Sequence, residues 1–246
     1  MADPRWLEDI LASFDTPLTQ HERLLTLRLA GTDFVPHRLV GEERLSRPFA
    51  YTLDCVSQRG DLELKRLIAQ PADLAVRQAD GTYRPLSGLV ESAALLGEDG
   101  GVFYYQLTLV PWLALLRLGR DSRIFQDKSV VEVIEAVFEP HAIAAARWRF
   151  DLRRDYPARS YCVQYRESDY HFVHRLMEQE GLFYYFEHTH GDDGHAGHRL
   201  VITDDVDTCT PVAPQVIRFH RQAATEREDA LTQWGGRRRQ QPTRVS

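Results

Sequence analysis

The sequence predicts a mainly β protein of the α+β class, built as two small antiparallel β-barrel modules joined by helices. Three observations carry this. Between residues 20 and 110, short segments that alternate apolar and polar side chains follow one another closely, separated by turn residues such as Asp80-Gly81. Residues 111–146 change to helical periodicity. Residues 164–188, QYRESDYHFVHRLMEQEGLFYYFEH, then read as a capped helix feeding directly into an aromatic strand, and this helix-to-strand corner organises the second β module. The division that follows is an N-terminal extension (1–19), a first β-barrel module (20–110), a helical connector (111–146) and a second β module (147–246).

In chain order, Pro4 to Phe14 places Trp6, Leu7, Ile10, Leu11 and Phe14 on one face of a short amphipathic helix, expected to lie on the body of the domain. Arg23 to Gly31 alternates as a strand, with Leu25, Leu27 and Leu29 on one side. Phe34 to Val40 is a second strand whose Pro36 indicates an edge or a bulge, and Phe49 to Val56 is a third. Asp61 to Ile68 reads as a short helix; Leu74 to Arg77, Tyr83 to Val90 and Phe103 to Val110 read as strands, with a turn at Gly97 to Gly101. Leu113 to Leu118 is a short helix. Ser129-Val130-Val131-Glu132 is a capping box opening a helix with an apolar stripe of Val130, Val133, Ile134 and Val137, stopped by Pro140.

The corner itself has agreeing start and stop signals. Ser168 is placed to cap the helix, Asp169 sits where the helix dipole favours a carboxylate, and Gly181 is placed to end it in a left-handed conformation. Phe172, Val173, Leu176 and Met177 share one stripe, while His171, His174, Arg175, Glu178 and Gln179 point elsewhere. Leu182 to Phe186 is apolar or aromatic on both faces, so this strand needs cover on both sides, from its own domain or from a second subunit. After a Gly-rich loop, Arg199 to Asp204 returns as the second arm of a hairpin; Val216 to His220 is a further candidate strand.

Composition bounds the function. The chain has 246 residues, 43% of them hydrophobic, enough for a real core. With 36 acidic against 30 basic residues the formal charge is −6, which argues against a general nucleic-acid binder; the terminal cluster Arg237-Arg238-Arg239 reads as solvated. Cys55, Cys162 and Cys209 are odd in number and lack a C-x-x-C pair, so neither a disulfide framework nor a structural zinc site is indicated. No apolar run approaches the ~18 residues of a membrane span, and the N-terminus does not read as a signal peptide.

Candidate chemistry is sparse. His188, His190, His195 and His198, with Asp192 and Asp193, form the one group whose side chains suit a metal ion. Their Gly-rich setting and the absence of an H-E-x-x-H pattern favour an exposed polar turn. Cys162 falls in a predicted strand and reads as a buried thiol, and Asp204 and Asp205 as turn formers. Glu180 lies on the stripe side at the C-terminal end of its helix, where the dipole disfavours an anion; it is expected to be partly buried and paired with an arginine, Arg166 before Arg175. No catalytic residue and no cofactor are indicated.

Five segments also resemble one family, the last of them Asp229 to Trp234, which is similar to a segment of that family ending in Thr-x-Trp. The run Q-Y-R-E-S-D-x-x-F-V-x-R-L-M-E-x-E-G-L-F-Y-Y-F-E-H, carried here by Gln164, Tyr165, Arg166, Glu167, Phe172, Arg175, Leu176, Glu180, Gly181, Tyr184 and Phe186 among others, is similar to the VgrG spike proteins of type VI secretion and related contractile-tail hub proteins. G-E-E-R-L-S-R-P-F-A-Y at residues 41–51, D-S-R-I-F-Q at 121–126 and H-R-L-V-I-T-D at 198–204 resemble the same family. The resemblance implies a phage tail hub-like fold and a structural role: a homotrimer at the base of a spike, meeting a hexameric Hcp tube and baseplate proteins, with effectors as possible cargo. It implies assembly in the cytoplasm and export through the type VI apparatus without a signal peptide. It also implies that further strands complete the second module, so that unpaired strand edges or exposed apolar surface are expected there. The alternatives are a prophage contractile-tail hub and, in a different class, a metal-dependent hydrolase using the hairpin histidines.

Overall fold

A computed structural model describes residues 20, 23–141, 147–190, 196–209, 218–219, 230–231 and 234–236. The expected N-terminal helix, the hairpin loop with Asp192, Asp193 and His195, and Arg237–Arg239 lie outside the described residues.

Alternation in the first module produces six strands: β1 (Leu25–Leu29), β2 (Val35–Arg44), β3 (Arg47–Ser57), β4 (Pro71–Arg77), β5 (Tyr83–Asp99) and β6 (Val102–Val110). They form one curled antiparallel sheet in the order β1-β4-β5-β6-β3-β2. The alternating set Leu27, Leu29, Phe49, Tyr51, Leu53, Cys55, Leu74, Tyr105, Leu107 and Leu109 fills its core. Pro36 behaves as expected, on an edge strand and at a register shift between Pro36 and Arg38. The helix read at 61–68 shortens to one 3-10 turn, Leu64–Leu67, of which only Leu67 is buried. Strand β5 runs past its expected end, because the sharp reversal needs only Gly100 and Gly101, both at positive φ, and residues up to Asp99 pair with β6.

The connector supplies α1 (Trp112–Leu115), β7 (Asp121–Phe125) and α2 (Val130–Phe138). The capping box of α2 is complete, with Ser129 and Glu132 bonded reciprocally, and Val130, Val133, Ile134 and Val137 are all buried. The second module adds β8 (Arg147–Asp151), β9 (Cys162–Glu167), α3 (Asp169–Glu180), β10 (Phe183–His190) and β11 (Ala196–Thr203). Strand β9 pairs with β7, and β10, β11 and β8 make a separate sheet in that order. Within it β8 runs parallel to β11, a departure from a purely antiparallel module; β9, α3 and β10 supply the long crossover that a parallel pair requires. Two short strands, β12 (Arg218–Phe219) and β13 (Ala230–Leu231), pair with each other.

Connector and second module share one core. Trp112, Leu113, Val133, Ile134, Val137, Phe138, Phe172, Leu176, Tyr184, Leu200 and Ile202 belong to a single buried cluster. Helix α3 contributes its predicted stripe, and Gly181 ends it at φ 68° and ψ 28°. Among the described residues the second sheet stays open, with β10 and β8 as its edges, and Ile124, Tyr161, Tyr165 and Trp234 are exposed. Replacing Gly181 by Ala puts a Cβ in left-handed backbone and should cost about 1–2 kcal/mol, whereas Leu176→Ala should cost about 2–5 kcal/mol. Urea denaturation of the two variants checks both the size and the order of these losses.

Candidate functional site

The segment singled out in the sequence folds into a polar lattice on one side and an aromatic weld on the other. Gln164, on β9, is fully buried: its Oε1 accepts from Arg123 Nε at 2.9 Å, and its Nε2 donates to Glu167 O at 3.1 Å and Asp169 Oδ1 at 2.7 Å. Asp169 also takes a bond from the Arg123 guanidinium and meets His141 Nε2 at 2.6 Å. Burial opposes the charge on Asp169, but the Gln164, His141 and Arg123 donors outweigh it and hold the carboxyl below its usual range. Arg175 closes the lattice, donating to Glu167 Oε1 at 2.5 Å and to Val163 O at 3.1 Å. Tyr165 and Arg166 are both exposed; the Arg166 guanidinium lies 5.3 Å from the Tyr165 ring and its φ is +51°.

Glu180 is half-buried and bound to an arginine, but the partner is Arg159 rather than Arg166 or Arg175. Arg166 is turned outward by its left-handed backbone, and Arg175 is committed to Glu167. A neighbouring cation completes the helix end. Arg154 donates to Glu180 O at 2.9 Å while its Nε reaches Asp204 at 3.2 Å. Asp204 therefore does more than shape a turn. Although burial works against its charge, the Arg153 and Arg154 amides, the Tyr156 hydroxyl and the Arg154 side chain hold it down to about 2.

On the other side, His174 Nδ1 lies 2.7 Å from Tyr170 O, an atom that only accepts, so the proton sits on Nδ1 and Nε2 accepts from the Tyr184 hydroxyl at 2.9 Å. Arg117 reaches the Tyr170 hydroxyl at 3.3 Å and lies over its ring. His174, read from the wheel as pointing away from the core, is instead the pin between α3 and β10. Ser46, in the β2–β3 turn, then takes up the strand: its N–H donates to Tyr184 O at 2.8 Å.

Two of the four hairpin histidines, His198 buried and His188 half-buried, lie against the first module instead of in an exposed turn. Ser87, on β5, holds both. Its N–H donates to His188 Nδ1 at 3.1 Å, which leaves the His188 proton on Nε2, 3.0 Å from the Tyr51 hydroxyl. The Trp112 N–H donates to His198 Nε2 at 3.1 Å, which leaves the His198 proton on Nδ1, facing Ser87 Oγ at 3.3 Å. Phe49 packs against both rings and against Phe186, at centroid distances of 5.0, 5.5 and 5.1 Å. Both ring nitrogens of each histidine are thus engaged by protein groups. His190 is placed by backbone alone, opposite Ala196, and His195 is outside the described residues. Among the described residues no group of three His, Cys, Asp or Glu side chains converges as a metal site.

Alternation explains why this was missed. Tyr184, Phe186 and His188 lie on the same face of β10, so the histidine follows the aromatics into the contact with β5, which is distant in sequence. Nothing local announces Ser87, Tyr51 or the Trp112 amide as partners. Cys162 is buried, as expected, and two depressions flank Tyr185, one of 240 Å³ lined by Leu45, Phe49, Phe186 and charged residues of the β2–β3 turn, the other of 380 Å³ lined by Leu45, Glu187 and Cys209. Glu187, which borders the larger, is already bound bidentately by Arg149 at 2.9 and 3.1 Å.

This arrangement, a curled antiparallel sheet welded through buried aromatics and histidines to a helix-strand corner, defines a protein with the fold of contractile-tail hubs. The chain belongs to the phage tail baseplate hub (GPD) family, whose model matches residues 42–246. It is 41% identical over 167 residues to the type VI secretion system spike protein VgrG1b of Pseudomonas aeruginosa, a match covering 68% of this chain and 22% of that protein. It is 36% identical over 198 residues to VgrG1c of the same organism, covering 80% and 26% respectively. In these matches the chain therefore spans about a quarter of its curated relatives. Among solved structures, the E. coli c3393 protein, a component of the type VI secretion system, aligns with a TM-score of 0.63 at 25% identity, covering 74% of this chain and 50% of that one. A tail protein from Neisseria meningitidis shares the fold, with a TM-score of 0.53 at 15% identity, covering 82% and 56%.

The histidine weld makes stability depend on pH. Burial is the leading cause that pushes His188 and His174 down to about 4 and His198 to about 3, from the ordinary imidazole value of about 6.5. The fold holds these rings neutral, while the unfolded chain takes up their protons below about pH 6.5, so their contribution is complete above that pH and is lost as pH falls toward 4. Carboxylates with depressed values act only lower. Urea unfolding should show a proton uptake on unfolding that rises from under about one at pH 7 to about two to three at pH 5, and His188→Gln with His198→Asn should remove most of that rise. A wild-type stability flat across this interval would contradict the burial of neutral imidazoles.

Proposed function

We propose that this chain is a structural part of a type VI puncturing device: the hub-like base of a VgrG spike, three copies forming a ring seated on the hexameric Hcp tube. The observation that carries this reading is the fusion of the two modules into one body through Phe186, His188 and His198, with their polar atoms used internally instead of being offered to a substrate. Such a corner transmits force. It resists shear between the sheets because moving β10 breaks hydrogen bonds and buried aromatic contacts at once. In this reading residues 20–110 form one barrel-like unit and residues 147–246 the other, with residues 111–146 joining them; the open edges of the second sheet await cover from another copy or from the rest of a spike.

The device works mechanically, with neither catalytic residue nor cofactor: a contracting sheath drives tube and spike through a target membrane. Baseplate proteins and effectors are further partners, and the protein is assembled in the cytoplasm and leaves through the apparatus itself. Among the described residues no helix is long and apolar enough to cross a membrane. Identity of 33–42% to curated VgrG spike proteins favours the type VI reading over a prophage hub.

Light-scattering mass of the purified chain, alone and with Hcp, tests this. A trimer that co-elutes with Hcp hexamers is expected. A monomer that ignores Hcp, together with stoichiometric zinc and a hydrolytic activity lost on His198→Ala, would overturn it in favour of a metal-dependent hydrolase.

A further inference from the structure

The β7–β9 ribbon buries one face and leaves the other bare. Phe125, Cys162 and Gln164 point inward, while Ile124, Tyr161 and Tyr165 are 61%, 56% and 66% exposed. The lattice side chains Gln164, Glu167, Asp169, Arg123 and Arg175 are bonded to one another, whereas among the described residues the Tyr165 and Arg166 side chains meet only each other. Arg166 is also held at positive φ, a backbone state that side chains adopt at a cost of order 1–3 kcal/mol and that the Asp121/Ser122 register shift and a bond from its N–H to Ser122 Oγ sustain. The outcome is an apolar platform bordered by an outward guanidinium that makes no ion pair with the described residues.

A surface of opposite character lies on the first module. Beyond Leu89, its last pair with β4, and Val90, which bonds Ala69 and Gln70 through its backbone, β5 continues to Asp99 along β6. This projecting arm exposes Leu95 and Leu96, 45% and 59%, next to Glu98 and Asp99. Leu96 is the extra residue of a bulge between Leu95 and Gly97, which disfavours backbone pairing with another strand and turns the leucine outward. The arm is therefore suited to docking by side chains, two leucines flanked by two carboxylates.

We infer that a second copy of this chain docks here, the β5–β6 arm of one copy seating Leu95 and Leu96 on the Ile124, Tyr161 and Tyr165 platform of the next, with Glu98 and Asp99 facing Arg166. Apolar area meets apolar area and the unpaired charges are of opposite sign. The two patches are different surfaces of one chain, so the contact is heterologous, and repeating it either closes a ring or extends a filament. The inference rests on the trimeric reading and specifies the interface within it.

The test uses the full chain and two variants, Tyr165→Asp with Arg166→Glu on the platform and Leu96→Asp with Glu98→Arg on the arm. All four positions are exposed, and circular dichroism melts verify that both variants fold. Each variant alone should lose the wild-type trimer. Mixed in equal amounts, they should form a dimer and no larger species, because one intact arm then meets one intact platform. A trimeric wild type whose variants both remain trimeric overturns this interface and leaves the ring reading intact. A wild type that is monomeric overturns both, and two variants that fail to form the dimer on mixing overturn the heterologous pairing.

Discussion

Everything in this structure depends on the strand β10 being held from three directions at once. Helix α3 pins it through His174 and the Tyr184 hydroxyl, the β2–β3 turn bonds its backbone through Ser46, and β5 grips His188 through the Ser87 amide. Each contact comes from a different part of the sequence, and each involves a buried or half-buried polar group whose loss would leave a partner unsatisfied. A strand so held cannot slide relative to any of them. The first module's sheet and the second module's helix therefore share one fixed reference line, and the partly buried Phe186 packs against both cores.

The polar lattice at the start of α3 has a different task. Gln164, Glu167 and Asp169 come from one short stretch, Arg123 from β7 and Arg175 from the middle of the helix. Together they fix the angle at which β9 turns into α3, and so the direction in which α3 delivers β10. Long polar side chains also take up backbone carbonyls here: Arg175 reaches Val163 O and the Gln164 amide reaches Glu167 O. The exposed pairs elsewhere, such as Arg66 with Glu63, contribute little by comparison.

Much of this was legible in the residues. Alternation located every strand of the first module, the Ser129 and Ser168 caps and Gly181 fixed two helices, and the Phe172, Val173, Leu176 and Met177 stripe is buried as its spacing requires. What could not be read was long-range partnership. His188 and His198 read as members of a polar loop because their partners, Tyr51, Ser87 and Trp112, lie far away in the chain, and the spacing does not point Glu180 to Arg159, which falls in an irregular stretch with no periodicity to orient it. The parallel pairing of β8 with β11 is likewise a property of the crossover rather than of either strand's own sequence.

The central claim is that the corner makes two modules one mechanical unit. Native-state hydrogen exchange read residue by residue tests it most directly. The account predicts that the amides of Leu53 and Leu107 in the first core and of Leu176 and Ile202 in the second open together, with the same free energy, in a single global event. Two groups of amides opening independently, one for each core, would contradict it.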